Sequence, residues 1–307
     1  MFGKEKELDS KYTEAEALYK AKRYEEAVPL IKSLAENGHV KAQNLLGNCY
    51  DWGNGVTEDL NKAAEWYRKA AEQGFAAAQC NLGQMFFYGN GVNQDYKKAF
   101  EWHSKAAEQG YARAQFSLGI IYFNGIGVTQ NFAKAVEWYS KAAEQGYADA
   151  QYNLGTMFAK GDGVTQDITK ANEWFRKAAE QGNAEAQFFF GTMFFHGQGI
   201  TQDYAKASEW YQKAAEQGHA NAQFLLGTMF SLGQGVTQDY AKAFEWNNKA
   251  AEQGHVDAQG YLGEMYYKGR GVTRDYTKAA EWFRKAAKQG NARAPGWLDL
   301  MKNMGEI

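Results

Sequence analysis

Residues 39–74 read HVKAQNLLGNCYDWGNGVTEDLNKAAEWYRKAAEQG, and the chain spells this 36-residue unit seven times in succession. Gly38, Gly74, Gly110, Gly146, Gly182, Gly218, Gly254 and Gly290 mark the joints. Self-similarity at one fixed period is the mark of a solenoid, in which each unit buries its apolar face only against its neighbours. In the first half of the unit Ala42, Leu46, Cys49, Tyr50 and Gly53 fall at helical spacing, and in the second half Ala63, Trp66, Tyr67 and Ala70 do so. Each unit therefore predicts a pair of amphipathic helices. Gly53 and Gly55 interrupt the pattern between them, Thr57 or Asp59 offers an oxygen to cap the second helix, and Gly74 supplies a left-handed C-cap. A Glu stands four residues before a Lys on every second helix, from Glu65 and Lys69 to Glu281 and Lys285. At ~0.2–0.5 kcal/mol each, such pairs support a solvated face and imply no chemistry.

The pattern departs at both ends. Tyr24, Glu26 and Ala27 match the start of a second helix, but Lys22 and Arg23 replace the glycine turn, so residues 1–38 read as an N-terminal helix-pair cap. Pro29 falls inside that expected helix, which predicts a kink or a late helix start. Ala294, Pro295, Trp297, Leu298 and Met301 predict one closing helix within residues 291–307, with Pro295 in its first turn. Two prolines and no Ser- or Pro-rich linker leave one continuous domain, with the repeats over residues 39–290.

Charge and composition narrow the function. With 34 basic against 36 acidic side chains the net charge is −2, which speaks against a nucleic-acid binder, since that needs a basic stripe to release counterions. No apolar stretch approaches the ~18 residues of a membrane helix. The opening MFGKEKELDSKY is too charged for a signal peptide, so a cytoplasmic monomer without membrane insertion is expected, with non-classical secretion as an alternative. Cys49 and Cys80 occupy different repeat positions and so define no repeating disulfide framework.

Ala-x-Ala-Gln-x-x-Leu-Gly, Gly-x-Gly-Val, Asp-Tyr-x-Lys-Ala and Trp-Tyr-x-Lys-Ala-Ala-Glu-Gln-Gly together resemble the Sel-one-like repeat, a relative of the tetratricopeptide repeat, over His39 to Gly290. The resemblance implies an all-α fold, a right-handed α/α superhelix of seven repeats with capping helices. It implies adaptors, scaffolds and, in many bacteria, factors that face a host or another protein complex. Some relatives carry a secretion signal and one disulfide per repeat; this chain has neither pattern.

Comparison of the copies separates what stacking demands from what it leaves free. Gly47 and its equivalents are invariant, where two helices are expected to come close, and so is the tryptophan series from Trp66 to Trp282, expected in the core. Gln43 and Gln73 recur as well and are expected to bond loop backbone between neighbouring repeats. The freest positions, those of Lys41, Asn44, Leu45, Asn48, Asp51 and Trp52, share one face of the first helix. By the tetratricopeptide resemblance that face lines a concave groove. It carries Phe87, Tyr88, Phe116, Phe123, Tyr152, Phe188, Phe189, Phe195, Phe224, Leu225, Tyr261 and Tyr267, with Arg113 and Lys160 among its charges. Either these rings are exposed and form a partner-binding groove, or neighbouring helices bury them against one another. Groove charges of both signs suit a peptide or protein segment better than a polyanion.

Catalysis finds little support. His39, His219 and His255 share the turn after the joint glycine and read as caps, while His103 and His196 have no second His or Cys at metal-ligand spacing. The Gly-x-Gly-Val turns join helix to helix without the strand a phosphate loop follows. The expected function is a non-enzymatic protein-binding scaffold without cofactor or metal. The alternatives are a secreted host-directed effector and a hydrolase acting on cell-wall or antibiotic-like substrates.

Overall fold

The computed structural model describes residues 2–307, and among them the chain forms 17 helices and no strand. An N-terminal pair, α1 (Phe2–Lys20) and α2 (Tyr24–Glu36), precedes the repeats. Each repeat then adds a first and a second helix: α3 (Val40–Trp52) and α4 (Leu60–Glu72), α5 (Ala76–Tyr88) and α6 (Tyr96–Glu108), α7 (Ala112–Asn124) and α8 (Phe132–Glu144), α9 (Ala148–Lys160) and α10 (Ile168–Glu180). The series continues with α11 (Ala184–His196) and α12 (Tyr204–Glu216), α13 (Ala220–Leu232) and α14 (Tyr240–Glu252), α15 (Val256–Lys268) and α16 (Tyr276–Lys288), and α17 (Ala294–Asn303) closes it. Packing gathers the chain into two compact units, Met1–Ala150 with Asp162–Val164, and Gln151–Gly161 with Thr165–Ile307. In the first unit each helix from α1 to α7 packs on its successor, and in the second the same holds from α10 to α16.

The invariant helix glycine sets how closely the paired helices approach. A Cβ on Gly47 would stand 2.6 Å from the ring of Tyr67, and one on Gly191 would stand 2.9 Å from the ring of Tyr211. Only hydrogen fits there. The ring filling that contact belongs to the residue after the tryptophan, and Tyr67, Tyr139, Phe175, Tyr211 and Phe283 are all buried. The tryptophans themselves are only half-buried, which corrects the expectation that they form the core. Adjacent positions on a helix point about 100° apart, so when the second of them faces the paired helix the tryptophan lies at the margin. There its outer face is covered by the lysine three residues on, 3.9–4.2 Å from the ring centre in all seven repeats. The recurrent Glu–Lys pair is a bridge at Glu137–Lys141, 2.7 Å, and Glu245–Lys249, 2.6 Å.

Caps and turns follow the sequence. Asp59 rather than Thr57 caps α4, accepting from the Lys62 N–H, and Asp95, Asn131, Asp167, Asp203, Asp239 and Asp275 repeat the contact. Gly91 in the turn after α5 combines φ +63° with close approach to the Leu60 carbonyl at the start of α4, so both its backbone and its missing side chain are required. The N-terminal pair makes its turn without glycine, placing Lys22 at φ 60°. Its second helix begins at Tyr24 and runs through Pro29, so the late start allowed by the sequence does not occur. Pro295 lies in the first turn of α17 as expected.

A pair of glutamines stitches each joint. Gln43, Gln79, Gln115, Gln187, Gln223 and Gln259 each donate from Nε2 to the carbonyl of an alanine eight residues earlier, at 3.0–3.2 Å, near the end of the preceding second helix. The later glutamine, Gln73 and its equivalents, donates to the Oε1 of the first at 2.7–2.8 Å. The expected backbone bonds are therefore made by the first series. The second bonds chiefly its partner amide, with Gln145 and Gln217 also reaching the joint carbonyls of Gly110 and Gly182.

Candidate functional site

In the first unit the free face of α5 and α7 carries rings that pack chiefly on rings of the second helices and the following joint. Phe87 is half-buried against Tyr88 and Tyr96, with centroids 5.1 and 5.4 Å away. Phe116 lies 5.0 Å from Tyr147 and 5.9 Å from Tyr139, and Phe123 lies 5.3 Å from Phe132. Arg113 is exposed and donates to Asn81 Oδ1 at 3.3 Å. The open apolar surface is at the last residue of the first helices, where Trp52 is 72% and Tyr88 59% exposed.

Beneath Tyr88 lies a small cavity of about 60 Å³ bounded by Phe87, His103, Ser117, Ile120 and Ile121. His103 replaces the buried Tyr or Phe ring that five of the other repeats carry, opposite Gly83, and its Nδ1 has no hydrogen-bond partner. Burial, and secondarily the charge of Arg113, push this imidazole down to about 4. The unfolded chain holds an ordinary imidazole near 6.5, so folding favours the neutral ring. The contribution is fully present above pH 6.5 and is lost as pH falls toward 4. Between pH 6.5 and 5 it should weaken the fold by ~2 kcal/mol. His103→Phe, which installs the ring found at Phe175, should remove that part of the pH dependence. Denaturant melts at pH 7 and pH 5 check this, and identical pH responses of wild type and variant would contradict it.

In the second unit the same face is denser in rings. Tyr152 sits between Phe175 and Phe189, at 6.0 and 5.8 Å. Phe188 stacks on His219 at 4.5 Å, and Phe224 stacks on His255 at 4.8 Å. Phe195 packs on Tyr204 at 5.2 Å, Leu225 is half-buried against the core of α10–α13, and Lys160 is exposed. Tyr261 donates to Ser231 Oγ at 2.5 Å, and Tyr267 lies 5.1 Å from Trp297. Leu232, again the last residue of its helix, is 64% exposed. Within each unit most of the rings at these positions are half-buried and packed on other rings.

The remaining polar candidates have structural partners. His39, His219 and His255 each accept a backbone N–H through Nδ1, capping α3, α13 and α15 at 3.1–3.2 Å. Cys49 and Cys80 are buried free thiols, pushed up to about 12 and about 11 by burial, and so stay protonated. Among the described residues no group of three or more His, Cys, Asp or Glu side chains could hold a metal ion, and no helix is long and apolar enough to cross a membrane. One feature lies outside the residues singled out in the sequence. The aromatic column Tyr152, Phe188, Phe224 ends at Gly260, and there a cavity of about 350 Å³ opens.

Comparison with known proteins agrees with this architecture. The Sel1 repeat matches residues 40–75, 76–111, 112–147, 148–183, 184–219, 220–255 and 256–291. Among solved structures, the chain is similar to a protective antigen present in uropathogenic Escherichia coli strains displaying an SLR fold. The identity is 37% and the TM-score 0.83, covering 96% of this chain and 66% of that one, so the chain spans slightly under two thirds of that neighbour. It is also similar to a Sel1 repeat protein from Oxalobacter formigenes, with 36% identity, TM-score 0.71, and coverage of 96% and 89%. Among curated proteins no match was found. With seven consecutive matches over helix pairs of one kind, the chain belongs to the Sel1 repeat family.

Proposed function

We propose that the protein is a non-catalytic interaction scaffold that holds a segment of a partner protein on the face formed by its first helices. The observation that carries this reading is the open apolar side chains Trp52, Tyr88 and Leu232, which share one repeat position at the end of a first helix. Second helices offer no such combination, since their outer positions are occupied by Lys and Glu, as at Glu65 and Lys69. A half-buried ring is already ordered, so covering it costs little side-chain entropy, and a few such anchors carry most of an interface's affinity. The surrounding charges, Arg113 in one unit and Lys160 and Glu185 in the other, would set register and orientation.

The test uses peptides selected against the wild-type protein from a displayed random library, with affinity read by fluorescence polarisation. The double change Trp52→Ser and Tyr88→Ser should weaken peptides bound in the first unit at least tenfold with an unchanged melting temperature. Lys62→Glu, on the exposed side of α4, should change neither property. Wild-type affinity in the double variant, or failure of the library to yield any binder, would count against the reading. A second reading, display toward a host, draws on the likeness to the protective antigen. Protease accessibility on intact source cells tests it, and full protection would remove it.

A further inference from the structure

Granting the partner-binding reading, we infer that the cavity at Gly260 receives one aromatic side chain of the partner segment. The site is read by comparing repeats within the second unit. At the position following the conserved glutamine, Tyr152, Phe188 and Phe224 project the chain's own ring, and then Gly260 projects none. Where the ring is present it lies against the second helix of its own repeat and the first residue of the next. Phe188 is 5.8 Å from Tyr211 and 4.5 Å from His219. At Gly260 the ring is missing while its surroundings persist: Phe283 replaces Tyr211, and Asn291 replaces His219.

Those surroundings are preorganised for a ring. Phe283 is buried and stacks on Trp297 with centroids 5.5 Å apart and planes 4° from parallel. Phe224 and Tyr261 line the same space. The cavity of about 350 Å³ falls inside the usual size of a ligand site, ~300–1,000 Å³, and far exceeds the ~150 Å³ that accommodates benzene in an apolar core. Rings prefer offset or edge contacts with such walls.

Charge at the mouth does not select a cation. Glu264 is paired with Lys268 at 2.8 Å, Asp257 accepts from Asn291 Nδ2 at 3.2 Å, and Arg293 adds a positive charge to the lining. With both carboxylates engaged and an arginine beside them, a neutral ring is favoured over a lysine or arginine side chain. The polar groups remain for the backbone on either side of the inserted residue.

Single-residue probes test the site without any partner, so its failure can be told from failure of the scaffold reading. N-acetyl-phenylalaninamide, N-acetyl-tyrosinamide, N-acetyl-leucinamide and N-acetyl-argininamide would be compared by saturation-transfer NMR on the full chain. The aromatic amides should bind, and Gly260→Phe, which supplies the chain's own ring, should reduce that binding at least tenfold. A Cβ at Gly260 would meet Asn291 at 3.2 Å, so the double change Gly260→Phe and Asn291→His, which copies the Phe224–His255 pair, serves if the single variant melts early. Circular dichroism confirms the helical fold of each. Equal binding by wild type and filled variant, preference for the arginine or leucine probe, or no binding of either aromatic probe would overturn the assignment.

Discussion

Tyr211→Ala is expected to destabilise the protein by ~3–5 kcal/mol, whereas Trp210→Ala, one residue earlier, should cost only ~1–2 kcal/mol. Tyr211 is fully buried, presses on Gly191, meets Phe188 at 5.8 Å and bonds Thr192 Oγ1 at 3.2 Å. Removing it empties the space between α11 and α12. Trp210 is half-buried beneath Lys213 at 3.9 Å, so its truncation exposes surface that solvent already partly reaches. Because units of a repeat array couple mainly to neighbours, the Tyr211 variant should also broaden the unfolding transition. Urea unfolding followed by circular dichroism measures both. A larger loss for Trp210→Ala would return the tryptophan series to the core.

Gly191→Val should cost about 3 kcal/mol, near the upper end for overpacked cores. Its Cβ would stand 2.9 Å from the Tyr211 ring and 3.3 Å from the Ala207 carbonyl, and a helix carbonyl cannot move aside. Gly260→Ala is the contrast. Also inside a first helix, it meets only the Asn291 side chain, so gain of helix propensity, worth up to ~1 kcal/mol, should leave it neutral or stabilised. Thermal melting of both variants decides, and equal losses would mean that the conserved glycine is not a contact point.

The contrast between these residues shows what the sequence could disclose. Gly47 was legible because an invariant glycine inside a helical pattern has few explanations besides close approach, and that is where Tyr67 lies. His39 was legible as a cap because it sits just before a helix start. Trp66 was not, because invariance reports that a side chain has a fixed job without saying whether the job is burial or shelter for Lys69. The residue that fills the core, Tyr67, was legible only as one member of the apolar stripe of the second helix, because its position varies to His103 and Asn247. The ring partner of Phe188 is His219, in the next repeat, a contact no local periodicity encodes. Half of the Gln73 bonding was hidden for the same reason, since its partner Gln43 lies 30 residues back. Gly260 could have been found, because the run of rings Phe116, Tyr152, Phe188 and Phe224 at one repeat position stops there, and aligned repeats make that visible.

Hydroxyl-radical footprinting of the protein with and without a selected peptide tests most directly that the first helices form the binding face. Side chains on that face, Trp52 and Tyr88 in the first unit or Leu232 and Phe224 in the second, should lose oxidation on binding, while Trp66 and Trp210 on second helices keep theirs. Protection confined to the second-helix tryptophans, with Trp52, Tyr88, Phe224 and Leu232 unchanged, would contradict it.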